Sequence, residues 1–176
     1  YVTGAVIDPG AYEASPVTRV SEVIDLAGGI LPNGSARAIR IRRSAGGTGA
    51  GESELSADLA AFAGRGDLAA NPLLDGGDVI RVPFRGPQAG VFGGINLPGV
   101  YELAAGETVG SAIDLAGGVV PGARLDLATL SHAEGGEQRE EALDLRGAAD
   151  SSAAAPAMER PLVAGDVLVI PVAPDA

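Results

Sequence analysis

The chain contains no cysteine, no tryptophan and no lysine, and it has a single histidine. Without cysteine there is neither a disulfide framework nor a thiolate metal site, and the redox compartment stays open. Aromatic residues make up only 3% of the sequence, so any core must be built from Val, Ile, Leu and Ala. No apolar run reaches the ~18 residues that a membrane-spanning helix needs. No charged-then-apolar leader stands at the N-terminus either. The chain is therefore expected to be a segment of a longer protein, with any targeting signal upstream.

The charges are lopsided. Twenty-three acidic residues face 12 basic ones, all arginine, for a net charge of −11. That balance argues against a nucleic-acid backbone as partner, because such binding rests on a basic patch. Two readings of the lysine-free, acidic composition stay open. One is a salt-adapted surface solvated by carboxylates; the other is a GC-rich coding bias toward Arg, Ala and Gly.

What the sequence does contain is a repeat. IDLAGG occurs at Ile24–Gly29 and again at Ile113–Gly118. Val2–Pro32 aligns with Val91–Pro121 without a gap, and 14 of those 31 positions are identical. A second pair closes each copy, GDVIRVP at Gly77–Pro83 and GDVLVIP at Gly165–Pro171. Copies this long predict two small globular modules, at 1–85 and 90–173, and not a solenoid of short repeats. A short linker, Arg85–Gly90, should hold them close together.

Each copy opens on an apolar, β-prone stretch, Val2–Ile7 in the first. Asp8-Pro9-Gly10-Ala11 then has type II turn chemistry, with Gly10 at the position that needs a positive φ. A returning strand would carry Tyr12 in one copy and Tyr101 in the other. Next comes a helix with an apolar stripe at Val20, Val23, Ile24 and Ala27, repeated at Val109, Ala112, Ile113 and Ala116. Thr18 and Thr108 are candidate N-caps, and Gly28 and Gly117 are candidate helix stops. Alternation predicts strands at Ala38–Arg43, over Leu55, Ala57 and Leu59, and at Asp78–Val82 and Asp166–Ile170. Ser44–Gly51 and Ala148–Ala157 read as mobile loops. The sum is an α+β chain of two tandem β-grasp domains, each with one main helix on a mixed sheet of four or five strands.

The order G-x-V-x-x-PG-x-Y, an apolar helix ending in AGG, then GD-V-I-x-VP resembles the soluble ligand-binding β-grasp (SLBB) domain. Gly4, Val6, Pro9, Gly10, Tyr12, Ala27–Gly29 and Gly77–Pro83 carry it in the first copy. Gly93, Ile95, Pro98, Gly99, Tyr101, Ala116–Gly118 and Gly165–Pro171 carry it in the second. Tandem copies are similar to the periplasmic part of bacterial outer-membrane polysaccharide export proteins; related domains occur in a respiratory-chain subunit and in vitamin B12 binding. The export resemblance implies a periplasmic homo-oligomer that forms a channel for capsular or exopolysaccharide, partnered with an inner-membrane chain-length regulator. The rival expectation is a receptor module for a soluble oligosaccharide or small molecule.

Catalysis has little support in the residues, and no cofactor or metal is expected. His132 reads as a solvated loop residue without a partner, and no G-x-S-x-G appears. GGTGAG at Gly46–Gly51 lacks the spacing and the following Lys of a phosphate loop, and the AGG glycines sit at a helix C-terminus, which repels phosphate. Two features are candidate binding groups. Arg37, Arg40, Arg42 and Arg43 cluster in seven residues, and guanidinium forks suit carboxylates or phosphates on a glycan or a neighbouring subunit. The same charges would also guard an edge strand against pairing. Tyr12 and Tyr101 could stack on sugar rings, although a core tyrosine packed on the helix explains their repetition better.

Overall fold

The computed structural model describes residues 1–44, 52–134, 137–146 and 156–173. The two stretches read as mobile loops lie mostly outside the described residues; Ser44 ends a strand, and Pro156–Glu159 form a 3-10 turn. The chain divides into two compact units, Tyr1–Gly86 and Pro87–Ala176.

The first unit runs β1 (Val2–Gly4), α1 (Val20–Leu26), β2 (Ile39–Ser44), β3 (Glu52–Ala57), α2 (Leu59–Arg65) and β4 (Val79–Val82). Its sheet has the order β1-β4-β2-β3, with β1 parallel to β4 and the other pairs antiparallel. The second unit runs β5 (Gln88–Gly93), β6 (Gly99–Glu102), α3 (Val109–Leu115), β7 (Ala128–Glu134), β8 (Glu137–Leu143) and β9 (Val167–Ile170). Its order is β6-β5-β9-β7-β8, again with one parallel pair, β5 beside β9. Two mixed sheets with helices make the α+β fold that the sequence predicts. Residues 88–90, read as linker, are the first residues of β5.

Each core is aliphatic, as the scarcity of aromatics requires. Both predicted helix stripes are buried, Val20, Val23, Ile24 and Ala27 against the first sheet and Val109, Ala112, Ile113 and Ala116 against the second. They meet the inward residues Ile39, Ile41, Ile80 and Val82, or Leu130, Leu168 and Ile170. Burying one such side chain stabilises by about 1.5–3 kcal/mol, so these short helices are held by packing and not by their own propensity.

The opening turn differs from the sequence reading. Neither Gly10 nor Gly99 has a positive φ; Gly10 is strand-like and exchanges two backbone hydrogen bonds with Val2, at 2.7 and 3.0 Å. The positive φ falls earlier, on Gly4 (+93°) and Gly93 (+87°). There a Cβ would stand 2.1 Å from the carbonyl oxygen of Val82 or Ile170. The chain then turns onto the helix end, where the Ile7 and Asp8 amides donate to the Gly29 and Ala27 carbonyls at 3.1 and 2.9 Å. Asn96 and Leu97 do the same to Gly118 and Ala116, both at 3.0 Å. IDLAGG therefore recurs for two reasons: its paired glycines adopt positive φ in both copies, and its carbonyls dock the loop after the first strand.

Two further elements depart from expectation. Thr108 caps α3 through Ser111, but Arg19, its counterpart at an offset of 89, takes the N-cap of α1 in place of Thr18. Thr18 instead accepts from the Ser15 amide, and the buried Asn71 side chain accepts from Ser21 N. The strand expected to reach Leu59 ends at Ala57, because the Asp58 carboxylate accepts from Ala61 N at 2.8 Å and starts α2.

Candidate functional site

The tyrosines hold the same structural position in each unit. Tyr101 lies in β6, whereas the returning strand expected at Tyr12 is reduced to a single bridge between Val2 and Gly10. The ring of Tyr12 still stands over Gly10, as that of Tyr101 does over Gly99. Both rings pack partly on their cores. The Tyr12 hydroxyl donates to the Asp8 carbonyl at 2.5 Å, and the Tyr101 hydroxyl donates to the Leu97 carbonyl. Each closes the loop between the first strand and the helix end. Burial pushes the Tyr101 hydroxyl pKa up.

The four clustered arginines separate into two pairs. Arg37 is buried and bonds the Asp58 carboxylate at 3.0 Å, bracing the start of α2. Arg43 points toward the core side of the sheet, where it clasps Asp78 at 2.7 Å and Asp75 at 2.8 Å and donates to the Leu73 carbonyl. Its hydrogen bond to Asp78 raises the Arg43 pKa above its ordinary value. Burial opposes ionisation of Asp78, but the bonds from Arg43 and the Asp75 amide outweigh it and hold that carboxyl low.

Arg40 and Arg42 point the other way, onto the exposed face of the sheet. There they meet Arg81 of β4, which lies directly opposite Arg40 in the strand register. Thr3, Val79 and Glu54 complete the rim of a hollow of about 410 Å³. The strand is not an edge strand: β2 lies between β4 and β3, so its charges guard no free edge. Arg40 reaches Glu54 at 3.4 Å, in an exposed pair that contributes little. Arg42 and Arg81 form no ion pair among the described residues. Like charges directly opposite each other, as Arg40 and Arg81 are, destabilise a sheet, whereas Arg42 stands opposite Glu54 of β3.

Arg81 escaped the sequence reading. Its signal was the comparison of the two closing strands, GDVIRVP against GDVLVIP, where Arg81 stands opposite Val169 at an offset of 88. The whole face differs in the same way. Arg40, Arg42 and Thr3 correspond to Thr129, Ser131 and Phe92 of the second unit, in the same pairing register. Arg124 of the second unit pairs with Asp126 at 2.8 Å.

His132 is not a loop residue. It lies in β7 opposite Arg139, and its Nδ1 is buried without a hydrogen-bond partner among the described residues. The glycine-rich stretch expected to carry it begins only beyond this strand. Among the described residues no three His, Asp or Glu side chains converge as metal ligands, and no helix is long and apolar enough to cross a membrane.

Comparison with known proteins agrees with the duplicated frame. The SLBB domain model matches residues 1–53 and again 88–140. No characterised protein matches the chain. SLBB is a family of soluble ligand-binding domains, found in polysaccharide export proteins. Two matches, each over the hairpin, helix and first sheet strands of one unit, leave the assignment plain: the chain belongs to the SLBB domain family, in two tandem copies.

Proposed function

We propose that this chain is the periplasmic, non-enzymatic segment of a capsule or exopolysaccharide export protein. Its work is assembly and contact with the glycan, as part of a homo-oligomer that adjoins an inner-membrane chain-length regulator. The observation that supports this reading is the tandem pair of SLBB modules in one chain. Rigid aliphatic cores with short helices suit modules that present surfaces. The exposed sheet face of the first module supplies a polar, arginine-rich surface.

The reading is tested by NMR titration of the 176-residue chain with neutral and acidic oligosaccharides, together with sedimentation across a range of protein concentrations. Saturable shifts with at least one sugar, or reversible self-association, are expected. A chain that stays monomeric and silent to every sugar would exclude the role.

A further inference from the structure

We propose that the exposed sheet face of the first module is a binding site for the carboxylates of an acidic glycan. Arg42 and Arg81 act as its open guanidinium forks and Arg40 as its third charge. The proposal rests on the glycan reading above and names the substrate class for it.

Four observations carry it. First, Arg40, Arg42 and Arg81 converge from two adjacent interior strands on one hollow of about 410 Å³. Second, five other arginines (Arg37, Arg43, Arg124, Arg146 and Arg160) each have a carboxylate within 3.0 Å. In a chain with net charge −11, Arg42 and Arg81 form no ion pair among the described residues. Arg19, Arg65 and Arg85 form none either, but only Arg42 and Arg81 line one hollow together. Third, Arg40 and Arg81 face each other across the ladder, an arrangement that an incoming oxyanion relieves. Fourth, the second module builds the same frame with Thr129, Ser131, Val169 and Phe92 at these positions, so the fold itself does not call for arginine there.

The chemistry follows from the side chains. A guanidinium presents a planar fork that takes a carboxylate through two parallel N–H bonds. Neighbours across the strands stand about 5 Å apart and neighbours along β2 about 7 Å. The charge is thus spread over a strip, which fits a polymer bearing several carboxylates better than one small anion. Val79 lies beside Arg42 in the register and gives an apolar floor for the C–H face of a sugar ring.

A second copy of the chain is the competing occupant, and it fits less well. On the second module Asp126, Asp144 and Glu141 are already ion-paired, while Glu107 and Asp166 are buried. Glu137 and Glu140 are exposed on β8 but fall on opposite faces of that strand, so among the described residues it offers no row of carboxylates to match the arginines.

The test uses the 176-residue chain and calorimetric titration with trigalacturonate, maltotriose and sodium sulfate. Trigalacturonate is expected to bind saturably, to bind more weakly as salt rises, and to lose about tenfold in affinity in Arg42→Gln and in Arg81→Gln. Arg146→Gln, on the other module, should leave binding unchanged. Arg81→Gln should keep or raise the melting temperature, because a like-charge pair is removed; lost binding then does not reflect lost folding. Undiminished binding in the Arg42→Gln/Arg81→Gln double variant would overturn the site and leave the glycan reading in place. Binding of maltotriose but not trigalacturonate would do the same. Displacement by an equal concentration of sulfate would overturn the glycan assignment in favour of a free-anion site. Self-association that disappears in the arginine variants, with no response to sugar, would make the face a contact between copies.

Discussion

Arg43 and His132 occupy the same register position in the two copies, and the buried acids Asp78 and Asp166 correspond as well, at offsets of 89 and 88. In the first copy Arg43 neutralises Asp78. In the second, Asp166 accepts from the Val163 amide at 2.9 Å through one oxygen, and its other oxygen has no partner among the described residues. Two predictions follow from the difference. The folded pKa of Asp78 lies below its unfolded value, so its contribution is complete above about pH 4 and is lost as pH falls through the folded value. Asp78→Asn leaves Arg43 with Asp75 as its remaining carboxylate and should destabilise the first unit by about 1–2 kcal/mol at neutral pH. Its stability should also fall less steeply on acidification, as urea unfolding across the acid range would show. Conversely, His132→Arg places a guanidinium where Arg43 stands and should stabilise the second unit by about 1 kcal/mol. A lower melting temperature for that variant would show that β7 cannot seat the longer side chain.

At the scale of elements, the strand that opens each module depends on one glycine. Alanine at Gly4 would combine a positive φ with a Cβ 2.1 Å from Val82 O, whereas at Gly29, with φ +94°, a Cβ meets nothing within 4 Å. Gly4→Ala should therefore cost more than about 4 kcal/mol and Gly29→Ala only about 1–2, the conformational strain alone. Equal losses in thermal unfolding would assign both glycines to backbone strain and none to the contact with β4. The contrast also shows where the sequence was readable. The stripes Val20–Ala27 and Val109–Ala116 were legible, because helical periodicity is local and the core enforces it. The alternation of Ile39 and Ile41 with Arg40 and Arg42 was legible for the same reason. The turn at Asp8–Ala11 was misread, since its turn-favouring residues yield to backbone bonds with Val2 and with the end of α1. The cap of α1 was misread because Asn71, about 50 residues away, supplies it. Within the candidate site, Arg40 and Arg42 were visible from alternation. Arg81 was not, because only the pairing of β2 with β4 brings it beside them.

Across the whole molecule the charge is divided unevenly. Tyr1–Gly86 holds ten acidic residues against eight arginines, a net of −2, and Pro87–Ala176 holds thirteen against four, a net of −9. The module with the arginine face is thus nearly neutral, and the second carries most of the self-repulsion that favours an expanded chain. Raising ionic strength from 0.01 to 0.1 M shortens the screening length from about 30 to about 10 Å. That change should relieve repulsion in the second unit far more than in the first. Thermal unfolding followed residue by residue by NMR is expected to show a larger rise in midpoint for Leu130 and Leu168 than for Ile41 and Ile80. The same salt should weaken trigalacturonate binding, so stability and affinity move in opposite directions along one titration. A midpoint shift that is equal in the two units would mean that the acidic excess is already neutralised locally, by pairs such as Asp144 with Arg146, where the arginine holds the carboxyl pKa at about 2. The acidic composition would then have no bearing on stability in salt, and the coding-bias account of a lysine-free chain would stand.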